Sequence, residues 1–268
     1  DPPLSAVKQC EAAARGVQAD ALLAIGGGSV LDVAKVVGVL LAQDVALESL
    51  FGIDQIPGKG VPVVLAPSTA GTGSEVTPIA VLSDEAANLK RGIVSDFLLA
   101  DHAVVDPQLC RSLPPGPTAY TGMDTLTHAI EAYTNRFAVP LVDGFALESI
   151  RLVSKNLLRA FHDGADEQAR YGMSLASILG GMCLRSVNTA AVHALAYPLG
   201  GRFHVPHGVA NSLLLPHVMR FNMPSVADRY RAIAEAMGAE DAVLAIGELS
   251  RAIGTDRRMR EFGVEEKH

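Results

Sequence analysis

The sequence predicts an α/β domain followed by an all-helical domain, and three observations carry that prediction. Short apolar runs alternate with helical patterns through the first part of the chain. The segment Leu113-Pro114-Pro115-Gly116-Pro117 then breaks the alternation as a proline hinge. Beyond it, helical periodicity continues with almost no strand signal. The boundaries read as 1–112 and 113–268, and two domains suit a prior of about 100–200 residues each.

The elements follow in order. A helix is predicted near 6–16, then the apolar run Ala21-Leu22-Leu23-Ala24-Ile25, then Gly26-Gly27-Gly28-Ser29 and a helix through Leu31, Ala34, Val37 and Leu40. A second buried run at 61–66 leads into Pro67-Ser68-Thr69-Ala70-Gly71-Thr72-Gly73-Ser74. Further strands are predicted at 79–83, 92–95 and 98–105. Runs that are apolar throughout indicate a largely parallel sheet covered on both faces. Helices are expected near 118–135, 143–162, 166–184, 188–197, 224–237 and 240–253. The chain shows no internal repeat and no low-complexity segment.

Composition narrows the function classes. Apolar residues make up 49% and charged residues 19%, which suits a buried enzyme core built from Ala, Leu, Val and Ile, since aromatics are 5% and Trp is absent. A net charge of −7 argues against nucleic acid, whose phosphates require a Lys/Arg stripe. No run approaches the ~18 apolar residues of a membrane span; the one over 36–42 is far too short. Cys10, Cys110 and Cys183 have no CxxC spacing, so buried thiols in a reducing, cytoplasmic setting are expected. There is no signal-peptide pattern. A dinucleotide fold uses two βαβ halves, and only one is legible after Asp1-Pro2-Pro3. The Rossmann-like domain is therefore expected to be incomplete here, with an upstream part supplying sheet neighbours and the adenosine side of the site.

Two loops carry the nucleotide reading. Gly26 to Ser29 sit where a strand ends and a helix begins, and glycines there let a pyrophosphate approach the free N–H groups of the helix start. Ser29 with Asp32 also forms a helix-capping pattern. Leu31 stands at the last glycine position of GxGxxG, and alone the loop reads equally well as a tight turn. The loop Ser68 to Ser74 again follows a buried strand, and its hydroxyls suit phosphate and ribose.

A second constellation carries the metal reading. Asp124 and His128 stack at i, i+4 on one helix face, and Glu131 falls on that face too. Leu126, Ile130, Tyr133 and Phe137 gather opposite, so an ordinary amphipathic helix with a wet polar face is the plain alternative. No Lys or Arg occurs from Ser112 to Asn135, which weighs against it. His193 and Tyr197 repeat the i, i+4 spacing, with Pro198 favouring a helix break after them. His207 lies between Pro206 and Gly208 in an expected tight turn. Three histidines and one carboxylate suit Fe²⁺ or Zn²⁺, with His204 and His217 as rival ligands. His102 and His162 read as surface or capping histidines.

These motifs together resemble the iron-containing (group III) alcohol dehydrogenase family of the dehydroquinate-synthase-like superfamily. They fall in order along nearly the whole chain: GGGS with Asp32, Pro67 to Glu75, Gly122 to Glu131, and His193 through His207-Gly208-Val209-Ala210-Asn211. The resemblance implies Asp124, His128, His193 and His207 as metal ligands, in preference to His204 and His217. It implies Gly27 and Gly28 at the pyrophosphate, Ser68, Thr69 and Thr72 at nicotinamide and ribose, and Lys90 as a cofactor contact; Gly26, Ser29, Asp32 and Ser74 complete the cofactor set. Several relatives carry a proton-relaying histidine where Tyr197 stands, which makes Tyr197 the candidate catalytic residue. The family's acidic residue that separates NAD from NADP lies upstream of Asp1, and its last helices extend past His268.

The implied chemistry is reversible hydride transfer between a primary or secondary alcohol and NAD or NADP, with Fe²⁺ or Zn²⁺ as Lewis acid. A homodimer or higher homo-oligomer is expected, with no nucleic-acid or membrane partner. A hydroxyacid–oxoacid transhydrogenase is the rival enzyme, favoured if Arg185 or Arg202 enters the pocket. A non-catalytic metal-binding fragment is the rival from another class.

Overall fold

The computed structural model describes residues 1–87 and 89–265; His268 lies outside them. The chain divides into two compact units, residues 1–68 with 74–106 and residues 69–73 with 107–268.

In the first unit the order is α1 (Leu4–Gly16), β1 (Leu22–Gly26), α2 (Gly28–Ala42), β2 (Gly52–Ile53), β3 (Val63–Pro67), β4 (Ile79–Asp84), β5 (Leu89–Val94) and β6 (His102–Ala103). Helix α2 is buried over most of its length because Leu31, Val36, Val37, Val39 and Leu40 face β-structure or α1. β1 and β3 pair in parallel from Leu22↔Val63 to Gly26↔Pro67. Both loops therefore leave the same sheet edge, and Ser68 N donates to Gly26 O (2.8 Å).

The sheet departs from the prediction in three ways. It is two sheets: β1, β3 and β6 are parallel, whereas β4 and β5 form an antiparallel pair beside β2. So short a connection as the one between Asp84 and Leu89 can only close a hairpin. The strand predicted at 98–105 shrinks to His102–Ala103, because Ser95 Oγ accepts from Phe97 N and winds 96–98 into a 3-10 turn. Cover on β1 is one-sided: Ala24 packs with Leu31 and Ala34, while Leu23 and Ile25 are 68% and 57% exposed.

One cation is carried inside this unit. The Lys35 ammonium donates to the carbonyls of Ser74 (2.9 Å) and Ile79 (2.5 Å) and lies 3.4 Å from the Asp32 carboxylate. Burial lowers its pKa and Asp32 opposes that. Asp32 accepts from Ser74 Oγ (2.5 Å) and Val81 N (2.9 Å). The capping role predicted for Ser29 and Asp32 is thus overturned: Gly27 is the N-cap of α2, and no side chain caps it. The carboxylate serves instead to hold the exit of the hydroxyl-rich loop.

The second unit contains α3 (Pro115–Thr134), α4 (Pro140–His162), α5 (Glu167–Ser186), α6 (Ala191–Phe203), α7 (His207–Met237) and α8 (Ala242–Ala252). The proline segment predicted as a hinge instead opens α3, because a first-turn proline lacks only an N–H that has no helical partner. Helix α3 packs against α4, α5, α6 and α7. Its Asp124/His128 face is therefore enclosed rather than wet, in line with the absence of Lys and Arg from Ser112 to Asn135, and Thr125 and Thr127 are fully buried.

Helix α6 does not break after Pro198 but runs on to Phe203, the lost N–H being outweighed by burial of Val192, Ala196 and Leu199. Helix α7 starts at His207, with Pro206 as N-cap, far ahead of the helix predicted at 224–237. The tight turn expected around His207 is thus a helix start. Pro216 and Pro224 lie within α7, and the backbone leaves helical geometry only at Val226 (φ −142°, ψ 38°). Cys110 and Cys183 are buried and outside any disulfide, but Cys10, on α1, is exposed. No single described helix is long and apolar enough to cross a membrane.

Candidate functional site

Three helices of the second unit converge on one carboxylate. Asp124 and His128 stand one turn apart on α3 and are both buried. His193 comes from the first turn of α6, and His207 is the first residue of α7. The Nε2 atoms of His128, His193 and His207 lie 3.6, 3.5 and 3.4 Å from Asp124 Oδ1. Donor atoms of Asp124, His128 and His193 all fall within 4.8 Å of one another. The His128 and His193 rings stack at 4.7 Å. His204 and His217 are exposed, as are His102 and His162; His204 ends α6 in the left-handed conformation (φ 54°).

Burial and charge compete at each group. Burial disfavours an Asp124 carboxylate, but the imidazoles of His128, His207 and His193 outweigh it and hold the group well below the usual carboxylate range. Burial wins at His128, which is pushed down to about 4 despite Asp124. At His193 burial loses to the hydrogen bonds with Asp124 and Glu131, and the imidazole rises to about 9. Glu131 is held below the usual glutamate range, its burial offset first by the bond to His193.

Two residues of this cluster had no role assigned from sequence. Glu131 Oε2 lies 2.6 Å from His193 Nδ1. Its position on the Asp124/His128 face was legible; its partner was not. Asn211, fully buried one turn into α7, donates from Nδ2 to Asp124 Oδ1 (2.8 Å) and lies 3.2 Å from His193 Nε2. The i, i+4 spacing of His207 and Asn211 was the available signal. Tyr197, one turn after His193, is 38% exposed and stacks on the His207 ring at 6.4 Å.

The loops are placed as follows. Gly27 has an ordinary extended backbone (φ −76°, ψ 176°), and the uncapped start of α2 follows it. Gly26 and Ser68 adjoin at the sheet edge, and Ser74 is bound to Asp32. Thr69 to Gly73 belong to the helical unit, where Thr125 Oγ1, next to Asp124, donates to Gly71 O (3.1 Å). Gly73 adopts φ 60°, and a Cβ there would meet Gly181 Cα at 2.6 Å, so only glycine fits. Ser68, Thr69 and Thr72 are half-buried. Lys90 pairs with the Asp1 carboxylate at 2.5 Å. Arg185 and Arg202 are exposed at the last turns of α5 and α6.

The donor set suits a divalent transition metal: one oxygen and three imidazole nitrogens form a borderline-soft cage, and a cation relieves the crowding of three imidazoles on one carboxylate. The cage is a candidate metal centre of the helical unit. Residues 1–107 match the family described as iron-containing alcohol dehydrogenase, and residues 118–268 match the C-terminal part of the Fe-containing alcohol dehydrogenase family. The chain belongs to the iron-containing alcohol dehydrogenase family. It is 42% identical to long-chain-alcohol dehydrogenase 1 of Geobacillus thermodenitrificans, over 99% of this chain and 70% of that protein. It superposes on a crystal structure of 1,3-propanediol oxidoreductase with a TM-score of 0.95 at 39% identity, covering 99% of this chain and 72% of the other. Sulfoacetaldehyde reductase of Bifidobacterium kashiwanohense, solved with NAD+, gives 0.91 at 33% identity over 99% and 72%.

Proposed function

We propose that the chain catalyses reversible hydride transfer between a primary or secondary alcohol and NAD or NADP, with Fe²⁺ or Zn²⁺ held by Asp124, His128, His193 and His207. The convergence of three Nε2 atoms on Asp124 Oδ1 carries this reading. Relatives named for long-chain alcohols and 1,3-propanediol support alcohols and their aldehydes as substrates. When bound, the metal supplies Lewis acidity toward the alcohol oxygen and the nicotinamide accepts the hydride.

The chain's own residues do the rest. Asp124 provides the anionic donor, and Asn211 orients it. Thr125 holds the Thr69–Gly73 loop next to Asp124, which supports Thr69 and Thr72 as the nicotinamide and ribose contacts. Gly26 to Ser29 open the start of α2 to the pyrophosphate, with Ser68 alongside. His207, 27% exposed, marks the side from which substrate arrives, and the Tyr197 hydroxyl beside it carries the alcohol proton outward. Lys90 reaches the cofactor by leaving Asp1. In this reading the enzyme is a cytoplasmic homo-oligomer.

One experiment tests both halves of the site. The purified protein should carry about one Fe²⁺ or Zn²⁺ per chain, and a chelator should stop alcohol-dependent NAD(P) reduction until metal is restored. Gly27 has a backbone that valine adopts without strain, so Gly27→Val sets a branched side chain at the start of α2. It should weaken nucleotide binding by about tenfold or more (~1.4 kcal/mol) with metal content unchanged. Activity that survives chelation would refute the metal role, and unchanged nucleotide affinity would return the glycine loop to a plain turn.

A further inference from the structure

Helix α6 begins without a cap of its own. Its N-cap is Ala190, whose side chain offers no acceptor. The acceptor comes from α3 instead: Glu131 Oε2 receives the Ala190 N–H (2.9 Å) and Oε1 receives the Val192 N–H (2.6 Å). The same Oε2 faces His193 Nδ1 at 2.6 Å. One buried carboxylate thus serves three N–H groups at the start of α6, and the third belongs to the imidazole whose Nε2 faces Asp124.

We propose that Glu131 is the positioning residue of the metal centre, fixing His193 as the Nδ1–H tautomer and setting the angle at which α6 presents it. This rests on the metal reading above. A ligating histidine binds through the nitrogen that carries no proton, so a carboxylate on the other nitrogen both selects the tautomer and raises the basicity of the donor. All three partners of Glu131 are donors, which only a carboxylate can satisfy. A glutamine in its place has one acceptor and one NH₂. Set toward Ala190 and His193, its oxygen leaves NH₂ against the Val192 N–H. Reversed, its NH₂ faces His193 Nδ1 and drives the proton onto Nε2, the nitrogen the metal needs.

The test compares the wild-type chain with Glu131→Gln, Glu131→Asp and Asp124→Asn, using Zn²⁺ alone as the probe. Zinc affinity is measured by chelator competition, and the His193 tautomer by ¹⁵N NMR with and without zinc, at a pH that keeps the imidazole neutral. Glu131→Gln should bind zinc about 10–100-fold more weakly and show His193 in mixed tautomers. A role confined to capping α6 lowers thermal stability without moving the tautomer signal. Glu131→Asp keeps two acceptors and should keep the Nδ1–H tautomer at intermediate affinity; it carries the same measurement if Glu131→Gln does not fold. Wild-type affinity and an unchanged Nδ1–H signal in Glu131→Gln would overturn the proposal while leaving the metal site intact. A wild-type chain that binds no zinc would instead bring down the reading beneath it, and Asp124→Asn marks that baseline.

Discussion

Asp124→Asn should empty the metal site and lower alcohol-dependent NAD(P) reduction on the order of a thousandfold, equivalent to ~4 kcal/mol of lost transition-state stabilisation. The side chain keeps its size, so the packing of α3 persists. What disappears is the charge on the one oxygen that three imidazoles and the Asn211 amide all face. His207→Ala should also cost most of the bound metal, whereas His204→Ala and His217→Ala should cost none, because both side chains are exposed. Metal analysis and steady-state rates of the four variants decide the matter. Equal metal loss in all three histidine variants would show the ligand set to be misassigned.

Gly208→Ala should be strongly destabilising for a one-carbon change. A Cβ at this position would run into the Tyr120 carbonyl oxygen, with Tyr120 C at 2.6 Å and Cα at 3.0 Å. These are backbone atoms of α3 and cannot swing aside, so α7 must shift as a body. We expect about 3 kcal/mol of destabilisation from overpacking. The neighbouring residue is His207, so metal content should fall in the protein that remains folded. Denaturant unfolding with metal analysis of the folded fraction tests this, and an unchanged midpoint would mean that α3 and α7 yield more readily than their packing implies.

The sequence was most informative where period and chemistry coincide. Asp124 and His128 were legible because their i, i+4 spacing survives burial. The two loops were legible because glycine and hydroxyl residues cluster after apolar runs. Three features were hidden. Pro198 reads as a helix end, yet tertiary packing carries α6 through it. The face of Asp124, His128 and Glu131 left a wet amphipathic face open as the plain alternative, because periodicity cannot tell such a face from one enclosed by further helices. Lys35 was passed over as one cation in an apolar helix, although a lysine on such a helix has few places to go except the carbonyls it reaches. The sheet split was invisible for a different reason: strand direction depends on the connection between Asp84 and Leu89, not on the strands themselves.

The enclosure of α3 makes the centre lopsided in time as well as in space. Protection from amide exchange follows the free energy of the smallest opening that exposes a group, and α3 is covered by four other helices. Exchange across 122–132 should therefore be the slowest in the chain, limited by global unfolding. His207 instead opens α7 straight after the 204–206 connection, with Pro198 inside the preceding helix and Pro206 capping α7. A cation leaves by fraying of that connection, while Asp124 and His128 stay in place as a standing half-site. Losing the metal then does not cost the fold, and recapture begins from two ligands already in register. Comparable exchange rates in α3 and at the start of α7 would contradict this ordering.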